Sequence, residues 1–226
     1  MQPKIHVSPE DVDAALAQLG LTSVPLLEAV QSGLLARNTC TGNDAPFFPG
    51  LMQWNKTLRA LREALTPLTW RRSNKGNYCT AVEPGKRFQI AVAAGDALTG
   101  TEADGNPSTK RRRGPNTEKA VAVNTRQLSL FSQFVREQSV EENEIGEEEA
   151  EPTDTASTIV TWILLYYTEG DELRAELSLP DSFGEDGKID GWKERIILGS
   201  MPLDEDVPQP KPDFGPDLVI DVPRRA

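Results

Sequence analysis

The chain has 226 residues, 38% of them hydrophobic, and its 24 Lys and Arg stand against 35 Asp and Glu for a formal net charge of −11. That length supports one sizeable core, while the longest unbroken apolar run, 162–167, falls far short of the ~20 residues that span a bilayer. One histidine, His6, and two cysteines, Cys40 and Cys79, cannot make a four-ligand zinc site, and a histidine on a loose terminus is a poor catalytic base.

The opening "MQPKIHVSPEDV" lacks the apolar centre of a signal peptide, so the expected location is cytoplasmic with no membrane partner, and two idle thiols are expected. Ser8, Pro9 and Asp11 then read as N-cap, first helical residue and first-turn acid of a helix that stops at Gly20. A second helix fits "SVPLLEAVQSGLLARN", capped by Ser23 and stopped at Asn38; Arg37 is its one base, too few for a groove-reading helix. Residues 1–48 are therefore expected as a helical N-terminal region.

Leu51, Trp54, Leu58, Leu61 and Leu65 recur at helical spacing, and the same helix carries Lys56, Arg59 and Arg62 on a second face. Arg71, Arg72 and Lys75 follow beside Trp70 and Tyr78. "YCTAVEPGKRFQIAVAAGD" reads as a hairpin with Pro84-Gly85 at the centre of a type II turn, Lys86-Arg87 just beyond it, and Phe88, Ile90 and Val92 on one face.

The stretch 97–118 has no periodicity and is expected as a mobile loop, carrying the basic tract Lys110, Arg111, Arg112 and Arg113. Gly100 and Gly105 have the gap of a phosphate loop, but Asn106-Pro107 replaces its Lys-Ser/Thr pair. "KAVAVN" reads as a short strand and "TRQLSLFSQFVREQ" as a helix. Eight carboxylates in 139–157 are expected to form an acidic mobile linker. "TIVTWILLYY" then reads as a strand buried on both faces, joined at 169–171 to one that alternates Leu173, Ala175, Leu177 and Leu179 against Glu172, Arg174, Glu176 and Ser178. "GWKERIILG" adds another strand, and 201–226 is an extended Pro-rich tail.

The fold class expected is α+β: a mainly antiparallel sheet with packed helices over 49–200, preceded by the helical region and followed by the tail. Charge is sorted within it, since 54–119 holds thirteen bases and six acids, a local +7. Such an island attracts a polyanion even on a negative chain. The leading expectation is a non-enzymatic accessory or binding protein of a larger assembly, holding nucleic acid or another polyanion through Lys56, Arg59, Arg62, Arg71, Arg72, Lys75, Lys86, Arg87 and Lys110–Arg113. Trp70 and Tyr78 would stack on bases, with no cofactor. One alternative is a magnesium-dependent nuclease using Asp96 with Glu172 or Glu176. Another is a protein-interaction subunit whose partner engages the basic loop, acidic linker or tail.

Overall fold

A computed structural model describes residues 2–103, 105–137, 159–169 and 172–202, with backbone alone for 128–137, 169 and 202. The acidic linker and nearly all of the Pro-rich tail lie outside the described residues. Seven strands form one mixed sheet in the order β1-β7-β6-β5-β4-β3-β2. In chain order these are β1 (Lys4–His6), β2 (Arg71–Ser73), β3 (Thr80–Val82), β4 (Phe88–Ala94), β5 (Val160–Glu169), β6 (Glu172–Phe183) and β7 (Ile189–Pro202). Helices α1 (Pro9–Gln18), α2 (Ser23–Asn38), α3 (Phe48–Leu65) and α4 (Pro115–Glu137) complete an α+β fold.

Pairing is mainly antiparallel, but β4 runs parallel to β5 and β1 parallel to β7. The first exception is a β4–α4–β5 crossover where hairpins alone are expected from sequence, and its cause is α4. "KAVAVN" is helical, not a strand, because Pro115 sits in the first turn and Asn124 makes better use of a helix than of a ladder. Fully buried, Asn124 donates to the carbonyls of Thr161 (2.9 Å) and Pro180 (3.0 Å) and accepts from the Thr161 N–H (2.8 Å), tying α4 to β5 and β6. Val121, one turn earlier, enters the core on the same side.

The two faces of β5 divide the interior. Trp162, Leu164 and Tyr166 join Phe88, Ile90, Val92, Leu173, Ala175, Leu177 and Leu179 beneath α1, α2 and α3, so the N-terminal helices share the main core. Ile163 and Leu165 join Ala91, Ala93, Val121 and Trp192 on the α4 side. Both the buried first arm and the alternation of the second thus follow the pattern read from sequence. The polar side of β6 does not stay in water: Glu176 and Ser178 are fully buried, covered by the loop that follows β4.

The helices begin much as their residues dictate. Ser8 Oγ accepts the Asp11 N–H at 3.3 Å, whereas Ser23 is already helical and Thr22 takes the N-cap position without a side-chain bond. Close packing of α2 on α3 depends on Gly33, since a Cβ there would overlap Thr57 and come within 2.7 Å of the Gln53 carbonyl oxygen. Positive φ in the β3–β4 turn falls on Lys86 (56°), and Gly85 is not in that region; a type II turn would need it at Gly85, so the turn is of another kind.

His6 is no loose terminal group: it is buried in β1, with Nε2 2.8 Å from Glu194 Oε1. Three-residue β1 and β2 carry too little periodicity to be read from sequence. Cys40 is buried and Cys79 half-buried, and both are free thiols.

Candidate anion-binding cleft

The basic positions separate into groups held by different elements. At the C-terminal end of α3, Arg59, Arg62, Arg71 and Arg72 surround a hollow of about 500 Å³ with Trp70 and Ala81 in its wall. Much of this charge is already committed. Arg62 donates to the carbonyls of Thr80 (2.9 and 3.1 Å) and Ser73 (2.7 Å) and to Asn74 Oδ1 (2.8 Å), stapling β2 and β3 to the helix, and burial pulls its guanidinium below the usual arginine range. Arg59 pairs with Glu63 at 2.8 Å. Trp70 is buried, edge-on to Phe88 at 5.4 Å, so its ring is a core group.

Other positions stand apart. Arg87 pairs with Glu83 at 3.0 Å and lies over Phe88, with exposed Lys86 beside it at the turn. Lys56 is half-buried, and Lys75 is exposed in the short turn before Tyr78. Burial pushes Tyr78 up to about 12, and its ring packs beside the second core cluster.

The loop after β4 is not the free tether its composition suggests. Asp96 closes it at both ends of a turn, accepting the Leu98 N–H with Oδ1 (3.1 Å) and the Ser108 N–H with Oδ2 (2.9 Å). Trp192 Nε1 donates to the Pro107 carbonyl (2.6 Å), Thr109 and Lys110 donate their N–H to Ile189 and Ala94, and Arg113 donates to Gly187 at 2.7 Å. Every backbone group so used resists local opening. From Pro115 the chain is already α4, so the loop ends before 118.

Beneath the loop, Arg195 and Glu176 make a fully buried pair, 2.6 Å between Nη2 and Oε2, and Glu176 also accepts the Gly100 N–H at 2.8 Å. Asp96 and Glu176, two of the three candidate metal carboxylates, are therefore already engaged, Asp96 by the loop and Glu176 by Arg195, Ser178 and the Gly100 N–H. Glu172 opens β6 as an exposed residue, four positions from Glu176. No group of three His, Cys, Asp or Glu among the described residues has the arrangement to hold a metal ion.

This anchoring delivers the basic tract to the N-terminal end of α3. Lys110, Arg111 and Arg113 meet Arg37 from α2 around a cleft of about 300 Å³, while Arg112 turns away and packs its stem on Gly187. Arg37 Nη1 donates to Gln53 Oε1 at 3.2 Å, Arg113 Nη2 donates to the Val92 carbonyl at 3.2 Å, and Trp54 Nε1 shares that carbonyl at 3.1 Å. Tyr166, only 4% exposed, is set among Arg113, Arg37 and Arg111, yet burial outweighs them and pushes its hydroxyl up to about 12. Burial also draws Arg113 below the usual arginine range.

Two buried donors of residues that line the cleft, Gln53 Nε2 and Arg113 Nε, have no hydrogen-bond partner among the described residues. No carboxylate lines the cleft among the described residues. A smaller recess of about 110 Å³ adjoins it, bounded by Tyr167 and by Thr168, whose buried hydroxyl also has no partner among the described residues. Arg37, Gln53 and Tyr166 are site residues that the basic island does not point to: Arg37 and Tyr166 come from other parts of the chain, and Gln53, just before the island, carries no charge. The one sequence signal was Arg37 itself, the lone base of its helix. The chain matches no protein-family model, no curated protein and no solved structure.

Proposed function

We propose that this is a non-enzymatic binding protein for a phosphate-bearing polyanion, nucleic acid being the polymer of that chemistry, acting as an accessory part of a larger assembly. The observation that carries this reading is the convergence of Arg37, Lys110, Arg111 and Arg113 on one cleft whose described lining has no carboxylate. Buried donors left open are costly in a folded protein, and an anionic ligand would satisfy them.

The arginine-lined hollow at the other end of α3 would extend the contact. From Gly50 to Arg62 the helix rises about 18 Å, so one strand of several nucleotides could touch both ends. Binding is preferred over magnesium-dependent cleavage because Asp96 is engaged by the loop and Glu176 by Arg195 and the Gly100 N–H.

Fluorescence anisotropy with a labelled single strand and a duplex tests the proposal. Three or four phosphate contacts on a single strand imply that affinity falls about twenty- to fiftyfold between 50 and 200 mM salt. Absence of salt-sensitive binding to either substrate at low ionic strength would refute it.

A further inference from the structure

The cleft has more than charge. Its amide is fixed in orientation, because Arg37 Nη1 can only donate and must face Gln53 Oε1, which turns Gln53 Nε2 to the other side. Gln53 is 2% exposed, and that NH2 group has no partner among the described residues. Arg113 is held still by the Val92 carbonyl while its buried Nε has no partner among the described residues. The first turn of α3, through Pro49, Gly50 and Leu51, borders the same space and adds the positive end of its dipole.

Part of the lining is apolar. Phe47 and Leu51 are each 47% exposed, unusually open for side chains of their size, and both line the cleft. The lining thus combines donors suited to a multiply charged oxyanion with apolar surface suited to the flat face of a ring.

Resting on the reading of this cleft as an anion site, we propose that it seats a phosphomonoester, with the terminal phosphate on Arg37, Lys110, Arg113 and Gln53 and the attached nucleobase against Phe47. A monoester carries a charge of about −1.5 to −2 near neutral pH and offers three acceptor oxygens. A diester inside a strand carries one charge and must leave the site in two directions, which the buried floor of Gln53 and Tyr166 does not favour. A volume of about 300 Å³ is at the small end for ligand pockets and suits one nucleotide unit. The same chemistry is offered by the phosphorylated end of a strand and by a free mononucleotide.

The test uses the full chain. Ten-nucleotide strands of one sequence, with a 5′-phosphate, a 3′-phosphate or hydroxyls at both ends, are compared by anisotropy. Adenosine 5′-monophosphate, adenosine and inorganic phosphate are titrated separately by calorimetry. The expected result is at least tenfold tighter binding of one phosphorylated strand over the hydroxyl strand, binding of the monophosphate, and none of adenosine. Gln53→Glu should erase the discrimination by placing a carboxylate on the floor, and exposed Lys110→Gln should reduce it several-fold even if the first variant folds poorly.

Equal salt-sensitive binding of all three strands, with no monophosphate binding, overturns the monoester seat and leaves the polyanion reading standing. Monophosphate binding without strand binding supports the seat as a mononucleotide site and overturns the polymer reading. Discrimination that persists in both variants places the seat elsewhere and overturns the proposal, and binding of none of the probes overturns both readings.

Discussion

Replacing Glu176 by Gln isolates the electrostatic part of the loop anchor while keeping nearly the same shape. In the native chain Glu176 Oε1 faces Arg195 Nε at 3.2 Å and Oε2 faces Nη2 at 2.6 Å, both side chains having no exposure to solvent. Arg195 Nη2 continues to the carbonyls of Leu98 (3.4 Å) and Thr101 (3.1 Å), and its Nη1 has no partner among the described residues. Glu176→Gln removes the negative charge and leaves a guanidinium buried without its counterion, which costs about 3–5 kcal/mol. Against a usual total of about 5–15 kcal/mol, that is a severe loss. At roughly 2–4 °C per kcal/mol for a domain of this size, the melting temperature should fall by about 6–20 °C. Urea unfolding followed by circular dichroism gives the free energy, and trypsin should cut faster at Lys110–Arg113 as the loop loosens. Glu176→Met with Arg195→Met should recover much of the loss, because burying neither charge is cheaper than burying one. A loss below about 1 kcal/mol in Glu176→Gln would refute the account.

The two buried tyrosines predict an alkaline limit. Tyr78 and Tyr166 are each raised from 10 to about 12, so their neutral forms favour the fold fully below pH 10 and that contribution drains away as pH rises from 10 towards 12. Absorbance at 295 nm should show both still protonated near pH 11 before unfolding, and two midpoints near 10 would contradict it. Gly33→Ala should separate α2 from α3 and cost about 1–3 kcal/mol; Thr57→Ala should not rescue it fully, because the Gln53 backbone oxygen obstructs as well. A Tm equal to wild type would show that the helices give way freely. Within the basic tract, Lys110→Ser should weaken polyanion binding several-fold with little change in Tm, whereas Arg113→Ser should lower both, having a buried guanidinium bonded to Val92. Equal effects of the two on Tm would show that the tract behaves as one unit.

How much of this was legible depended on whether the cause was local. The Ser8 cap, the α3 stripe and the two arms of β5 and β6 rest on spacing within ten or twenty residues, which sequence displays directly. The order of the loop was hidden because its partners are distant. Composition marks 97–118 as free chain, but Trp192, Ile189 and Arg195 hold it from 80 or more positions away. Separation in sequence likewise kept Arg37 and Tyr166 out of the expected site, whereas Gln53, one residue before the basic island, was passed over because it is uncharged. Trp70 shows the opposite error, for its place beside a basic run suggested a stacking surface, whereas the edge-on contact with Phe88 makes it a core residue.

The short strand β1 carries a consequence for synthesis. Its His6–Glu194 contact links residues 188 positions apart, so this strand has no place to dock until almost all of the described chain has been made. At about 5–20 residues per second the first residues wait roughly ten to forty seconds while their seat on β7 does not yet exist. Until then β1 is itself an unpaired strand, and an unpaired strand edge is a template for other chains. The small N-terminal strand is therefore a late closure, whose arrival ends the interval in which a nascent chain can pair with a neighbour instead of with itself.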